Sequence, residues 1–245
     1  MLSHKLDPGP ASGPPAAHAA SHRGGGDDVI EDKIVIGLAN VSGTNSFVMS
    51  GYGLLLAGLA TDTSSAHDSS SDGIGFKQTS AASAGSDACY NFPTTAAFDT
   101  VVLPKIRIKA KIDTAANVRY FYGLSSDNAA GTVDADDPAA YQCGFQFSSG
   151  RDTNWQLALD NNGTQVLTDT LIAAAAGVYW FEIEITATGQ CKFTLEDGDY
   201  TELYSNTILL NVPSAGNLLY LVVGGETTTT AAINPITYKI EVRVP

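Results

Sequence analysis

Charged residues are scarce in this sequence, and those present are mostly acidic. Only 16% of the 245 residues carry a charge, and 26 Asp and Glu side chains outnumber 13 Lys and Arg side chains, which gives a formal net charge of -13. A chain with this balance repels the phosphate backbone of a nucleic acid. The composition therefore argues against DNA or RNA as a partner.

Long hydrophobic runs are also absent. No stretch approaches the roughly 20 consecutive apolar residues needed to cross a bilayer. Residues 1–8 lack the apolar centre of a secretory signal peptide. We therefore expect no membrane partner and a protein that is made and assembled in the cytoplasm.

Cysteine is limited to Cys89, Cys143 and Cys191, which are far apart in the sequence. Their odd number and the lack of a Cys-x-x-Cys pair argue against a disulfide framework and against a thiolate metal site. We predict that all three are small buried side chains. No cofactor is expected from this pattern.

The first thirty residues differ in composition from the rest of the chain. They contain a proline-rich run at residues 8–15, three consecutive glycines at residues 24–26 and no aromatic side chain. Such a segment buries too little apolar surface to offset the entropy lost on ordering. The composition predicts an extended arm over residues 1–30 and a folded domain over residues 31–245.

From residue 33 onward, short apolar runs are separated by Gly, Asn, Asp and Ser clusters, which is typical of antiparallel β structure. The clearest candidate strand is 105–112, where four basic residues alternate with four apolar ones. Asn162-Gly163 and Asp197-Gly198 each fit a tight turn between strands. Further candidate strands span residues 118–124, 141–148, 155–159, 164–170, 178–186, 192–196, 218–223 and 236–244, with looser candidates at 53–57 and 74–76. The pattern predicts an all-β, two-sheet antiparallel sandwich.

A basic stripe lies on one face of the clearest strand and consists of Lys105, Arg107, Lys109 and Lys111. Glu182 and Glu184 alternate in the same way in another predicted strand, so cross-strand ion pairs on an exposed sheet face are one interpretation. The second interpretation is that this charge face contacts an acidic surface on a neighbouring subunit, which would help a net-negative chain to assemble. The sequence does not choose between them.

Two clusters resemble metal ligands. His18 and His22 have the spacing at which two imidazoles can share a transition metal, but no third ligand lies near them in the sequence. Asp134, Asp136 and Asp137 offer carboxylate oxygens for calcium without matching the spacing of an EF-hand loop. We predict no metal at the histidines, and calcium binding by the acidic loop stays open.

The sequence lacks clear catalytic patterns. Glycan-cleaving enzymes use paired carboxylates, and Glu182 and Glu184 share a strand face. The third acid expected two or three residues later is absent, because Ile185, Thr186 and Ala187 follow. There is also no Gly-x-Ser-x-Gly elbow and no phosphate-binding glycine loop. The sequence therefore predicts a protein that is not an enzyme.

The N-terminal arm contains a short distinctive segment. Residues 17–30 read AHAASHRGGGDDVI, and this His- and Gly-containing segment resembles one that recurs in phage tail fibres and other virion proteins near an attachment region. The resemblance implies a role in virion attachment for His18, His22, Gly24, Gly25, Asp27 and Ile30.

The rest of the chain resembles bacteriophage structural proteins with a concanavalin-A-like (laminin-G-like) or jelly-roll sandwich. The matching pieces lie at residues 53–56, 105–109, 122–125, 144–147, 153–155, 179–184 and 238–244. The resemblance implies a virion protein that decorates the capsid or forms a short head fibre, contacts other virion proteins and assembles as a homotrimer. It implies no reaction and no cofactor.

The same resemblance leaves one alternative open. Because this fold is also used for carbohydrate binding, the chain could be the head of a tail fibre that binds a glycan on the host surface. Trp155, Trp180 and the tyrosines fit either a sugar platform or the core. Location in the head or the tail, and the identity of any receptor, do not follow from the sequence.

Overall fold

The computed structural model describes residues 33–40, 46–51, 54–61, 64–70, 73–92, 98–102, 104–137, 141–161, 163–187 and 189–243. Side-chain surroundings are defined within these ranges from residue 75 onward. The predicted arm over residues 1–30 lies outside the described residues. So do its proposed attachment residues His18, His22, Gly24, Gly25, Asp27 and Ile30.

The described part of the chain is almost entirely β structure, as predicted. One short helix, α1 (Ala129–Val133), and a 3-10 turn (Thr100–Val102) interrupt it. The strands are β1 (Lys33–Asn40), β2 (Ser46–Gly51), β3 (Leu54–Thr61), β4 (Ser64–Ser70), β5 (Gly73–Thr79), β6 (Ser86–Phe92), β7 (Phe98–Asp99), β8 (Lys105–Ile112), β9 (Val118–Ser125), β10 (Gln142–Ser148), β11 (Asn154–Asp160), β12 (Val166–Ala173), β13 (Gly177–Ala187), β14 (Gln190–Asp197), β15 (Glu202–Ile208), β16 (Leu218–Thr227) and β17 (Ile236–Arg243).

The strands form two antiparallel sheets. Sheet 1 has the order β4-β5-β17-β8-β13-β14-β15. Sheet 2 has the order β1-β2-β3-β6-β16-β9-β10-β11-β12, and the short β7 adds to one end of β16. The two sheets pack face to face, which confirms the predicted two-sheet sandwich.

The core lies between the sheets because alternate residues of each strand point inward. In β8, for example, every apolar residue is buried while every basic residue stays partly exposed. Phe181 of sheet 1 stacks on Tyr122 of sheet 2, with ring centroids 4.3 Å apart, and meets the edge of Trp155 at 4.9 Å. Phe145 and Phe193 extend this cluster at 5.5 Å from each other. Trp155 is therefore a core residue and not a surface platform.

Helix α1 covers part of the outer face of sheet 2. Ala129 and Val133 of the helix are buried in a second, smaller cluster with Phe121 and Val222 of the sheet. The side chain of Asn128 caps the helix by accepting a hydrogen bond from the Gly131 N–H at 3.0 Å. The segment just before Asp134, Asp136 and Asp137 thus contains a packed helical turn, because its small residues fit against the sheet.

All three cysteines are buried, as predicted. Cys143 on β10 and Cys191 on β14 meet between the two sheets, with 3.1 Å between their sulfur atoms. The linear spacing of the cysteines gave no sign of this contact, since it arises only when sheet 1 packs on sheet 2. Within the described ranges, no helix has the length and apolarity to span a membrane.

Candidate functional site: a cationic face on sheet 1

The outer face of sheet 1 gathers most of the basic residues of the protein. Register across β5, β17, β8, β13 and β14 brings eight of the 13 Lys and Arg side chains to this face beside four carboxylates. We call this surface the cationic face. Its basic residues are Lys77, Lys105, Arg107, Lys109, Lys111, Lys192, Lys239 and Arg243, and its acidic residues are Glu182, Glu184, Glu196 and Glu241.

One end of the cationic face is a network of cross-strand ion pairs. Lys105 Nζ lies 2.9 Å from a Glu182 oxygen and 3.3 Å from a Glu184 oxygen. Arg107 contacts Glu182 at 2.9 Å and Glu196 at 2.6 Å. Partial burial lowers the pKa of Lys105, but hydrogen bonds and charges from Glu182 and Glu184 outweigh it and raise the pKa overall. These contacts join strands of one chain, while a role of the stripe between subunits stays a prediction.

The other end of the face contains Lys77, Lys109, Lys111 and Lys239, of which Lys239 contacts Glu241 at 2.6 Å. Lys77 and Lys111 flank Ile236 in register on neighbouring strands. Among the residues that the structure describes, Lys77 and Lys111 form no ion pair. Lys192 forms none either, but it lies at the ion-paired end, opposite Glu184. The carboxylates of the face therefore neutralise only some of its cations. On these five strands the eight cations exceed the four carboxylates by four, and Glu202 of β15 lies in register with Glu196 at the border of the face, on a chain whose net charge is -13.

An aromatic floor supports the cations. Trp180 belongs to β13 but points away from the core, and it is only 1% exposed because long basic side chains cover it. The Arg107 guanidinium lies 4.6 Å from the ring centroid, and the Lys109 and Lys239 ammonium groups lie at 6.0 and 5.9 Å. These distances permit cation–π attraction. Trp180 is therefore part of the cationic face and not of the core.

Tyr200 continues the aromatic surface into solvent. It lies in the turn between β14 and β15, with its ring centroid 5.3 Å from that of Trp180, and it is 61% exposed. The turn is held by the Asp197 carboxylate, which accepts hydrogen bonds from the N–H groups of Asp199 and Thr201, both at 2.9 Å. An exposed ring beside several ammonium groups can bind both the apolar face and the charged group of a ligand.

Sheet 2 carries the opposite charge on its outer face. Asp87, Glu226 and Arg119 follow one another in register across β6, β16 and β9. Arg119 donates to Asp136 at 2.8 Å and to Glu226 at 2.9 Å, while Asp134 lies beside Asp87. We call Asp87, Asp134, Asp136 and Glu226, grouped around Arg119, the acidic face.

The carboxylates of the acidic face crowd one another. Burial, followed by the charges of Asp134 and Glu226, raises the pKa of Asp87 to about 7. Burial also raises the pKa of Glu226, although Arg119 opposes the shift. Asp87 carries no signal in the sequence, because it lies 139 positions from Glu226 in a strand that lacks alternation.

The structure also bears on the remaining candidate residues. Asp134, Asp136 and Asp137 belong to the described part of the chain, in which no group of three or more His, Cys, Asp or Glu side chains is placed to hold a metal ion. Asp136 instead bonds to Arg119. Glu182 and Glu184 are engaged by Lys105 and Arg107. Trp180 fitted either the core or a sugar platform, although its alternation with Glu182 and Glu184 already placed it on their face.

No protein-family model and no curated protein sequence matches the chain. Solved structures do match: 174 chains share the fold, which is too widespread to indicate one activity. A protein of unknown function, SO2946 from Shewanella oneidensis MR-1, aligns with a TM-score of 0.56 and 17% identity over 84% of this chain and 90% of that one.

Two further structural neighbours have described activities. An endo-beta-1,4-glucuronan lyase from the fungus Trichoderma reesei aligns with a TM-score of 0.52 and 10% identity over 86% of this chain and 94% of that one. A structure of botulinum neurotoxin type C aligns with a TM-score of 0.51 and 10% identity over 86% of this chain and 47% of that one. Cell entry of that toxin is described as dependent on interaction with two ganglioside molecules. The chain spans about half of that toxin structure. At these identities the likeness establishes the sandwich fold alone.

Proposed function

We propose that the chain is a non-enzymatic structural protein of a bacteriophage particle. The arm over residues 1–30 attaches it to other virion proteins, and the sandwich decorates the capsid or forms a short fibre as a homotrimer. Particles containing it would assemble in the host cytoplasm. The proposal rests mainly on residues 17–30, whose sequence resembles an attachment segment of virion proteins.

The arrangement of charge on the sandwich supports an assembly role. Basic residues are concentrated on the cationic face, while carboxylates with crowded charges form the acidic face. Opposite charges on two separate surfaces allow one copy, or another virion protein, to dock in a defined orientation. A heterologous contact of this kind closes into a ring such as a trimer when the rotation between copies permits it.

Removing the arm tests attachment directly. A chain lacking residues 1–30 should remain folded by circular dichroism but fail to join particles assembled in the presence of the full-length protein. A matched control carries the arm with alanine at Pro8 and Pro10, outside the motif, and should be incorporated normally. Normal incorporation of the truncated chain would refute the attachment role of the arm.

A second candidate function is a glycan-binding or receptor-binding head of a phage tail fibre. The observation that favours it is the exposed Tyr200 ring, which lies 5.3 Å from the Trp180 ring beside the lysines of the cationic face. A pull-down of the purified protein with empty heads, tails and host envelopes separates the two functions. Arm-dependent binding to heads or tails supports the structural role, and arm-independent binding to envelopes supports the receptor-binding role.

The lack of enzymatic activity is tested with a polyuronate. Since one structural neighbour is a glucuronan lyase, the purified chain should be incubated with polyglucuronate and polygalacturonate while unsaturated products are followed by ultraviolet absorbance. We expect no product above that of a heat-denatured control. Sustained product release would show that the chain is an enzyme.

A further inference from the structure

We propose that the cationic face, at its end formed by Lys77, Lys109, Lys111, Lys239 and the adjoining Tyr200, binds a polysaccharide whose sugars carry carboxylate groups. The proposal deepens the second candidate function above by naming a ligand class and the residues that contact it. It does not depend on the arm or on the location of the protein in a particle.

Positive and negative charges are distributed unevenly along the cationic face. The carboxylates Glu182, Glu184 and Glu196 contact Lys105 and Arg107, so the ion-paired end of the face is close to neutral. Lys77 and Lys111 form no ion pair with a described residue, whereas Lys239 at the same end contacts Glu241 at 2.6 Å. The positive potential is therefore concentrated at the end where these two lysines lie. An anion approaching the sandwich is attracted to that end.

Aromatic rings lie beside the lysines at this end of the face. Lys109 Nζ lies 5.6 Å from the Tyr238 ring centroid and 6.0 Å from that of Trp180. Tyr200 is 61% exposed, and its ring is tilted by 31° against that of Trp180, with 5.3 Å between the ring centroids. A pyranose ring offers C–H groups to such an aromatic surface while its carboxylate reaches an ammonium group. Lysines alone would bind any anion, whereas lysines beside an exposed ring favour an acidic sugar.

The net charge of the chain favours an acidic polysaccharide over a nucleic acid. A double-stranded nucleic acid carries a charge about every 1.7 Å of its axis, and its phosphates would be repelled by a chain with a formal charge of -13. An acidic polysaccharide carries about one charge per acidic sugar and is repelled less. The open sheet surface, with lysines repeating along and across the strands, fits an extended polymer better than a small buried ligand.

The test measures binding of the full chain to polygalacturonate oligomers at low salt by titration calorimetry. Trp180 provides a second signal, since its fluorescence should change when a ligand contacts Tyr200. We expect saturable binding that weakens as salt is added, and no binding to neutral dextran. The Lys77→Ala and Lys111→Ala double variant should lose about tenfold in affinity, and Tyr200→Ala should lose about fivefold.

Two controls make the result specific. Arg151→Ala removes a positive charge whose ion pair is with Asp152, away from the cationic face, and should bind polygalacturonate within about twofold of the unmodified protein. Melting temperatures of the lysine and tyrosine variants should stay close to that of the unmodified protein, because the substituted side chains are partly or largely exposed. Arg151→Ala leaves the Asp152 carboxylate, which is only 6% exposed, without its ion-pair partner, so its binding is measured well below its own melting temperature.

Several outcomes would overturn the proposal. These are the absence of binding, equal binding of dextran, equal loss in Arg151→Ala, and binding of duplex DNA with the same affinity and no effect of Tyr200→Ala. Self-association at low salt that disappears in the lysine double variant, without glycan binding, would show that the face contacts a second copy instead. Each result is independent of particle incorporation, so failure here leaves the proposed structural role to its own test.

Discussion

The two outer faces of the sandwich cover their exposed apolar residues in different ways. Sheet 1 covers Trp180 with long basic side chains that reach across neighbouring strands. Sheet 2 is covered by helix α1, whose small residues pack on Phe121 and Val222. The first cover consists of flexible charged groups and leaves a cationic surface, while the second is a segment of backbone beside crowded carboxylates. One fold thus presents two surfaces of opposite charge.

The largest effect should come from removing the floor of the cationic face. Trp180→Ala deletes a side chain that is 1% exposed and contacts Arg107. We expect the free energy of unfolding to fall by about 3 kcal/mol or more, as for other buried aromatic deletions. Urea denaturation followed by fluorescence measures it. Tyr200→Ala, which removes the exposed partner ring, should cost less than about 1 kcal/mol. Equal losses of stability in the two variants would contradict the assignment of Trp180 as the buried ring and Tyr200 as the exposed ring of the cationic face.

Charge reversal at the ion-paired end should have the next largest effect. The double variant Lys105→Glu and Arg107→Glu brings two new carboxylates against Glu182 and Glu184, and we expect a loss of about 2–3 kcal/mol. Lys111→Glu changes the same strand without breaking an ion pair to a described residue, and should change stability by less than about 0.5 kcal/mol. Normal assembly of the double variant into particles would show that the stripe is not an intersubunit contact.

Removing the central cation of the acidic face should have a moderate effect. Arg119→Met leaves Asp136 and Glu226 without their ion-pair partner. We expect a loss of about 1–2 kcal/mol at pH 8. The loss should shrink at pH 5, where Asp87, whose pKa is raised to about 7, is protonated and no longer repels Glu226. Lys192→Met, which breaks no ion pair to a described residue, serves as the matched control. A pH-independent loss would argue against carboxylate repulsion.

The smallest effect concerns the pH dependence of stability. Because folding raises the pKa of Asp87 from 3.8 to about 7, its contribution to stability is fully present below about pH 4 and is lost as the pH rises through about 7. After allowance for partial exposure, we expect the loss to be about 1 kcal/mol. Asp87→Asn should flatten the melting temperature between pH 5 and 8. An unchanged slope would place the titrating group elsewhere.

Much of the fold could be predicted from local pattern. The strict alternation of β8 and the Asp197-Gly198 turn after β14 are both found in the structure. Strands β1, β2, β4 and β7 were not among the predicted strands. Strands β6 and β15 were not predicted either, because their residues are polar or lack alternation and pairing with neighbours supplies their order. Helix α1 was missed as well, since five residues are too few to show a helical period.

The candidate site was only partly predictable. Lys105, Arg107, Lys109 and Lys111 share one strand, so their common face follows from a period of two residues. Their relation to Trp180, Lys239 and Tyr200 depends on which strands become neighbours, and the order β17-β8-β13-β14 is not encoded in any local segment. The contact of Cys143 with Cys191 needed the packing of one sheet on the other.

The sequence by itself determined the class of structure and the overall electrostatics. Alternation of apolar and polar residues imposes strands with one buried face, and an excess of acidic residues imposes a negative chain. Only the tertiary structure decided where the charges meet. Strand order concentrates most of the cations over Trp180 and groups Asp87 with Glu226 around Arg119, because residues remote in sequence become neighbours when backbone hydrogen bonds pair their strands.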